Sequence, residues 1–252
     1  MSSYLGASTI IMLFTAMVSF AGEMKCDSST CTMGEVVKYT YLGGGIEFIQ
    51  PNKLNDGLTA NNIASFKNRN GTLTLGGHKA VGRMVWENEV SFSGGNRTFN
   101  DNFQADLMTA EIMLNGGFNI FPSPSSVDLF PFVGLGVGGN SLNFHNQTKT
   151  LGSALMSDEP DTWLWQAKFL INLGVGSDFI LKAPEGDKGL IAGVRIGYTI
   201  DPYDKTKWRT NGTTISDLSA LSRSGFFARI VIGGWGPHHR MDAGKSCCMK
   251  KS

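Results

Sequence analysis

The sequence predicts an all-β fold, an eight-stranded antiparallel up-and-down transmembrane β-barrel. Three observations carry the prediction. Hydropathy alternates with a period of two from residue 39 to residue 235, which is how a strand separates its two faces. The connections between alternating segments are short and long by turns, as in barrels whose turns line one rim and whose loops line the other. One face of each segment is apolar, while glycines and charges collect on the other.

Taken in order, residues 41–50 set Leu42, Ile46 and Phe48 against Gly43, Gly45 and Glu47. Residues 73–80 read as a short strand with Gly76, Gly77 and His78 toward its end. Residues 84–93 oppose Met84, Trp86, Val90 and Phe92 to Glu87, Glu89, Ser91 and Ser93. Residues 105–121 oppose Met108, Ala110, Ile112, Leu114 and Phe118 to Thr109, Glu111, Asn115 and Asn119. Residues 129–142 oppose Pro131, Val133, Leu135 and Val137 to Phe132, Gly134, Gly136 and Gly138.

The sharpest alternation is at 163–179, where Trp163, Trp165, Ala167, Phe169, Ile171, Leu173 and Val175 share one face. Leu164, Gln166, Lys168, Leu170, Asn172, Gly174 and Gly176 share the other. A helix, turning by about 100° per residue, would scatter both sets. Residues 189–200 set Ala192, Val194, Ile196 and Tyr198 against Ile191, Gly193, Arg195, Gly197 and Thr199. Residues 225–235 set Phe226, Ala228, Ile230 and Ile232 against Phe227, Arg229, Val231 and Gly233. Short connections fall at 81–83, 122–128 and 183–188, and long ones at 51–70, 94–104, 143–162 and 201–224. An even strand count puts both ends of the barrel on the short-turn rim, the periplasmic one.

Composition narrows the class. Glycine is 32 of 252 residues, nearly twice the usual ~7 per cent. Net charge is +1, so the chain lacks the electrostatic footprint of a nucleic-acid binder. Beyond the N-terminus no window of about 18 purely apolar residues exists, which excludes a helical bundle. Residues 5–21 are short and apolar, and Ser19-Phe20-Ala21 has the small-x-small form of a signal-peptidase site. Residues 1–21 are therefore expected as an export signal and 22–38 as a periplasmic segment. The barrel is expected at 39–236 and a C-terminal tail at 237–252. Cys26, Cys31, Cys247 and Cys248 lie outside the patterned middle. Export permits disulfides among them, with three pairings open. Together with His238 and His239 they match no recognised zinc spacing, so no metal and no cofactor is expected.

The polarity of the two faces decides their orientation. A lipocalin-like soluble binder has an apolar inside, and a membrane barrel reverses this. An eight-stranded interior is only wide enough for side chains to fill, too narrow for a face of Trp, Phe, Ile and Leu. The expected lumen therefore carries Glu47, Glu87, Glu89 and Glu111 from the first, third and fourth strands. It also carries Lys168, Arg195 and Arg229 from the sixth, seventh and eighth. Buried charges must pair, and closure of the barrel suggests Arg229 with Glu47 across the seam. Outward indoles at Trp86, Trp163, Trp165 and Trp235 suit interface belts.

The alternation, the Tyr41-Leu42-Gly43-Gly44-Gly45 run, the stretch FPFVGLGVG at 130–138 and the strand GLIAGVRIGY at 189–198 resemble small bacterial outer-membrane barrels of the OmpA/OmpX-like kind. The resemblance spans residues 39–236. It implies insertion by the outer-membrane assembly machinery, contact with outer-membrane lipids and residence in the cell outer membrane of a Gram-negative bacterium. It also implies a role in envelope integrity, surface contact through the long loops, or limited permeation. Such barrels usually end on an aromatic residue. Here Trp235 sits near that place and a tail follows.

The expected function is a non-enzymatic structural or surface-interaction barrel with at most narrow solute passage. The alternative is a small gated pore through a salt-bridged lumen. A lipid-modifying enzyme is a further candidate, with Ser141 and His145 beside Glu159 and Asp161 as an acyl-transfer constellation. Gly134, Gly136 and Gly139 formally satisfy G-x-G-x-x-G, but extended sequence follows where a phosphate site needs a helix. These glycines read as space for large lumen neighbours.

Overall fold

In the computed structural model, residues 36–99, 103–121, 126–146, 162–182, 189–203, 205–210, 213–215 and 218–235 are described. The export signal, the four cysteines, the tail, Glu159 and Asp161 lie outside them. The elements are β1 (Val36–Phe48), α1 (Asn52–Ala60), β2 (Arg69–Val81), β3 (Met84–Phe99), β4 (Phe103–Phe118) and β5 (Val127–Asn146). They continue with β6 (Thr162–Lys182), β7 (Gly189–Ile200), β8 (Trp208–Thr210), β9 (Thr213–Ile215) and β10 (Gly225–Trp235).

Eight of the strands close a barrel. β1 through β7 pair with their sequence neighbours, and β10 pairs with both β7 and β1. Every pairing is antiparallel. The chain is thus a closed eight-stranded up-and-down β-barrel of the outer-membrane type. β8 and β9 form a small hairpin hung on the long-loop end of β6 through the pair Trp165↔Arg209.

The wall is inverted relative to a soluble barrel. Phe226, Ile230 and Ile232 point outward at 63, 64 and 64% exposure, while Arg229 between them is 2% exposed. On β6, Phe169 and Leu173 face out, and Lys168, Leu170 and Asn172 are buried. Trp86 near one rim and Trp163 and Trp165 near the other are outward too, as two aromatic girdles require. A lipocalin-like arrangement has the opposite polarity. Trp208, by contrast, is wholly buried, and its indole nitrogen donates to the Ser219 carbonyl at 2.9 Å.

Three departures from the expected elements have physical causes. The connection expected at 94–104 is almost all strand, because β3 runs to Phe99 and β4 starts at Phe103. A β-bulge between Ser93 and Asn96, at Gly95 with φ +84°, adds a residue and flips the alternation. Inward positions are odd up to Ser93 and even at Asn96 and Thr98, so a strict period of two stops there. β1 also begins at Val36, inside the stretch expected to be periplasmic. At the opposite rim, the Gly82-Arg83 turn joins Val81 to Met84, with φ +59° at Gly82 as a II′ hairpin needs.

The third departure is inside the long loops. Residues 52–60 form α1, whose Leu54 and Leu58 share a face four residues apart. Its end is a Schellman motif, with Ile63 N–H donating to Leu58 O at 2.9 Å, Asn62 N–H to Thr59 O at 3.0 Å, and Asn62 at φ 59°. Leu54 and Leu58 pack with Ile49, Phe66, Leu107, Leu142, Leu164, Trp208 and Leu221. The long-loop end of the barrel is therefore stoppered by an apolar core. This core is built from α1, the loop before β10 and inward residues at the rims of β4, β5 and β6.

Candidate functional site

The candidate site is the lumen beneath that stopper. Glu47, Glu87, Glu89, Glu111, Lys168, Arg195 and Arg229 all lie on the inward face and are buried. They form three arginine-centred ion clusters along the barrel and a further pair of Lys168 with Asp201.

Nearest the short-turn rim, Arg195 of β7 holds two carboxylates. Its Nη2 donates to Glu87 Oε1 at 2.6 Å and its Nη1 to Asp178 Oδ1 at 2.7 Å. His78 Nδ1 lies 3.0 Å from Glu87 Oε1, and the Tyr39 hydroxyl donates to Asp178. Tyr39 stacks on His78 at 4.2 Å, and the Arg195 guanidinium lies 4.8 Å from the centre of the Phe130 ring. In the middle, Arg229 of β10 reaches Glu89 at 3.0 Å and Glu111 at 2.7 Å. The Tyr41 hydroxyl donates to Glu89 at 2.7 Å. Toward the stopper, Arg223 Nη2 reaches Glu47 at 2.5 Å and Glu111 at 2.8 Å. Glu111 thus joins the two upper clusters. Ser93 Oγ donates to Glu47 at 2.7 Å. Lys168 pairs with Asp201 at 2.8 Å, where the chain leaves β7.

The seam pairing expected between Arg229 and Glu47 is not made. The register sets Arg229 opposite Gly45 and Glu47 opposite Phe227. Arg229 instead crosses the lumen to β3 and β4, and Glu47 is taken by Arg223. Four further charged or ionisable members escape the strand pattern or sit at its edge: His78, Asp178, Asp201 and Arg223. Asp178 has the parity of Lys168 and Asn172, so continued alternation along β6 would have found it. Arg223 and Asp201 lie in a loop with no period to read.

His78, Glu87 and Asp178 are of the right types for a metal and lie within 4.8 Å of one another. Both carboxylates are already engaged by the Arg195 guanidinium, so the cluster is occupied by a cation of its own.

The acyl-transfer constellation is not assembled. Ser141 is outward on β5, where the Trp163 indole donates to its hydroxyl. His145 lies 3.4 Å from Asp106 Oδ2. Four residues of strand separate serine from histidine by about 13 Å, far beyond hydrogen-bond reach.

Glycines let this lumen close. A Cβ at Gly176 would lie 2.5 Å from the Phe130 ring and 3.0 Å from Arg195 Cδ. At Gly174 it would meet Phe132 at 2.6 Å, and at Gly136 Met113 Sδ at 2.2 Å. Replacing Gly176 with leucine is expected to destabilise the barrel by about 1–3 kcal/mol through overpacking. The measurement is the urea midpoint in detergent, with the outward Ala228→Leu as the neutral control.

No protein-family model matches the sequence, and no curated protein does. Two solved structures are similar. Neisserial surface protein A aligns with a TM-score of 0.43 and 10% identity, over 81% of this chain and 97% of that one. A major outer membrane protein from Thermus thermophilus aligns with a TM-score of 0.37 and 11% identity, over 77% of this chain and 99% of that one. The fold assignment rests on this chain's own closed pairing and inverted wall.

Proposed function

We propose that this chain is a non-enzymatic barrel of a Gram-negative outer membrane, acting as a structural or surface-interaction element and passing no solute. The outward apolar wall supports the membrane placement. The filled lumen supports the absence of flow. The interior holds the ion clusters with aromatic rings packed among them, Phe130 against Arg195 and Phe227 against Arg229, and the apolar stopper closes the long-loop end. Each buried arginine spans two carboxylates, so opening a path would strand charge.

Planar-bilayer recording tests this. The purified chain is expected to give no discrete conductance steps, and Glu87→Ala is expected to create none. Regular single-channel steps that change with Glu87→Ala would instead establish the gated-pore reading.

A further inference from the structure

A second site stands on the outside of the barrel. The segment from Asp201 to Thr210 crosses the outer end of β6 and is tied down from within. Lys168 pairs with Asp201 at 2.8 Å and donates to the Tyr203 carbonyl at 3.3 Å, and Gln166 donates to the Thr206 carbonyl. Trp208 anchors the same segment in the stopper. Its neighbours Lys207 and Arg209 therefore face out, and both are exposed. Arg209 lies 5.7 Å from the centre of the Trp165 ring. Among the described residues, no carboxylate pairs with Lys207 or Arg209.

Between this strap and the wall is a cavity of about 290 Å³ lined by Trp165, Ala167, Thr206, Lys207, Arg209 and Thr214. One side is indole and methyl and the other is cationic with a threonine hydroxyl. Depth gives this polarity a meaning. The outward apolar face of β6 runs from Leu181 through Leu173 and Phe169 to Trp165 and Trp163. Outward aromatic residues girdle the edges of a barrel's apolar band, so Trp165 and the strap stand at the outer interface.

We propose that this cavity binds a phosphorylated glycolipid of the outer leaflet. The phosphate is held by Lys207 and Arg209, with Thr214 as a further donor, and the proximal acyl carbons lie along Trp165 and Ala167. Guanidinium and ammonium groups are the usual partners of a phosphate, and the buried ties of the strap hold them in place before the lipid arrives. The proposal rests on the outer-membrane reading above.

The full chain, purified in detergent, is incubated with bisphosphorylated lipid A, its dephosphorylated form, or phosphatidylglycerol, and bound lipid is read by native mass spectrometry. Lipid A is expected to be retained. Its occupancy is expected to fall at least tenfold with the dephosphorylated form and in Lys207→Ala/Arg209→Ala. Lys207→Glu, a single change at an exposed position, should lower it as well if the double variant folds poorly. Equal occupancy in the variants or with dephosphorylated lipid overturns the site, and equal retention of phosphatidylglycerol overturns the choice of glycolipid. Liposome insertion of the wild-type chain separates the two readings. A chain that fails to insert defeats the membrane placement, and one that inserts but keeps no lipid A defeats this site alone.

Discussion

Replacing Arg195 with alanine is expected to destabilise the barrel more than any other single lumen change, by about 3–5 kcal/mol. The side chain is almost fully buried between Glu87 and Asp178. Removing it leaves two carboxylates in a water-poor interior, with the His78 ring beside both and the Tyr39 hydroxyl on Asp178 as their remaining contacts. A buried pair is itself weak ground for stability, since desolvation offsets most of the attraction. The cost arises from the stranded partners. The triple change Arg195→Met, Glu87→Gln and Asp178→Asn removes the guanidinium and both carboxylates at similar volume, and is expected to recover most of the loss. Both effects are read as urea midpoints in detergent and as the compact, heat-modifiable band on a gel. If Arg195→Ala unfolds at the wild-type midpoint, the ion clusters contribute nothing to holding the barrel.

The same chemistry explains which parts of the molecule were legible in the sequence. Alternation is strong where both faces carry large or polar side chains, so β6 between Trp163 and Asn172 and β10 between Phe226 and Val231 are readable residue by residue. It weakens where glycine leaves a face blank. Gly76 and Gly77 precede His78, and Gly174 and Gly176 precede Asp178, so two members of the Arg195 cluster follow stretches with little pattern. The bulge at Gly95 hides the end of β3 by reversing parity. Loop residues have no parity at all. Arg223 is brought inward by the bridge Gln50↔Ser222, which ties the last outer loop to the chain leaving β1. α1 packs above it in the stopper. That arrangement is tertiary, and the sequence shows only an Asn-, Gly- and Thr-rich stretch around Leu54 and Leu58. Complementary charge on opposite walls was legible, but the partners were not, because a long arginine crosses the lumen and is not confined to the neighbouring strand.

Ile230→Arg gives the sharpest test of the medium around the barrel. Ile230 lies in the middle of β10 and is among the most exposed apolar residues described, at 64%. In water, an arginine at so exposed a position changes stability by no more than about 0.5 kcal/mol. Against acyl chains near the bilayer midplane the same change costs about 2–4 kcal/mol, and the cost falls to about 0–1 near the interfaces. Leu190, equally exposed at 62%, stands at the short-turn end of β7. Leu190→Arg is therefore expected to be mild where Ile230→Arg is severe, when both are unfolded from phospholipid vesicles. Both side chains face outward and neither touches the lumen clusters, so packing does not distinguish them and only depth in the membrane does. Two equal, small effects would mean that the apolar belt is not facing lipid.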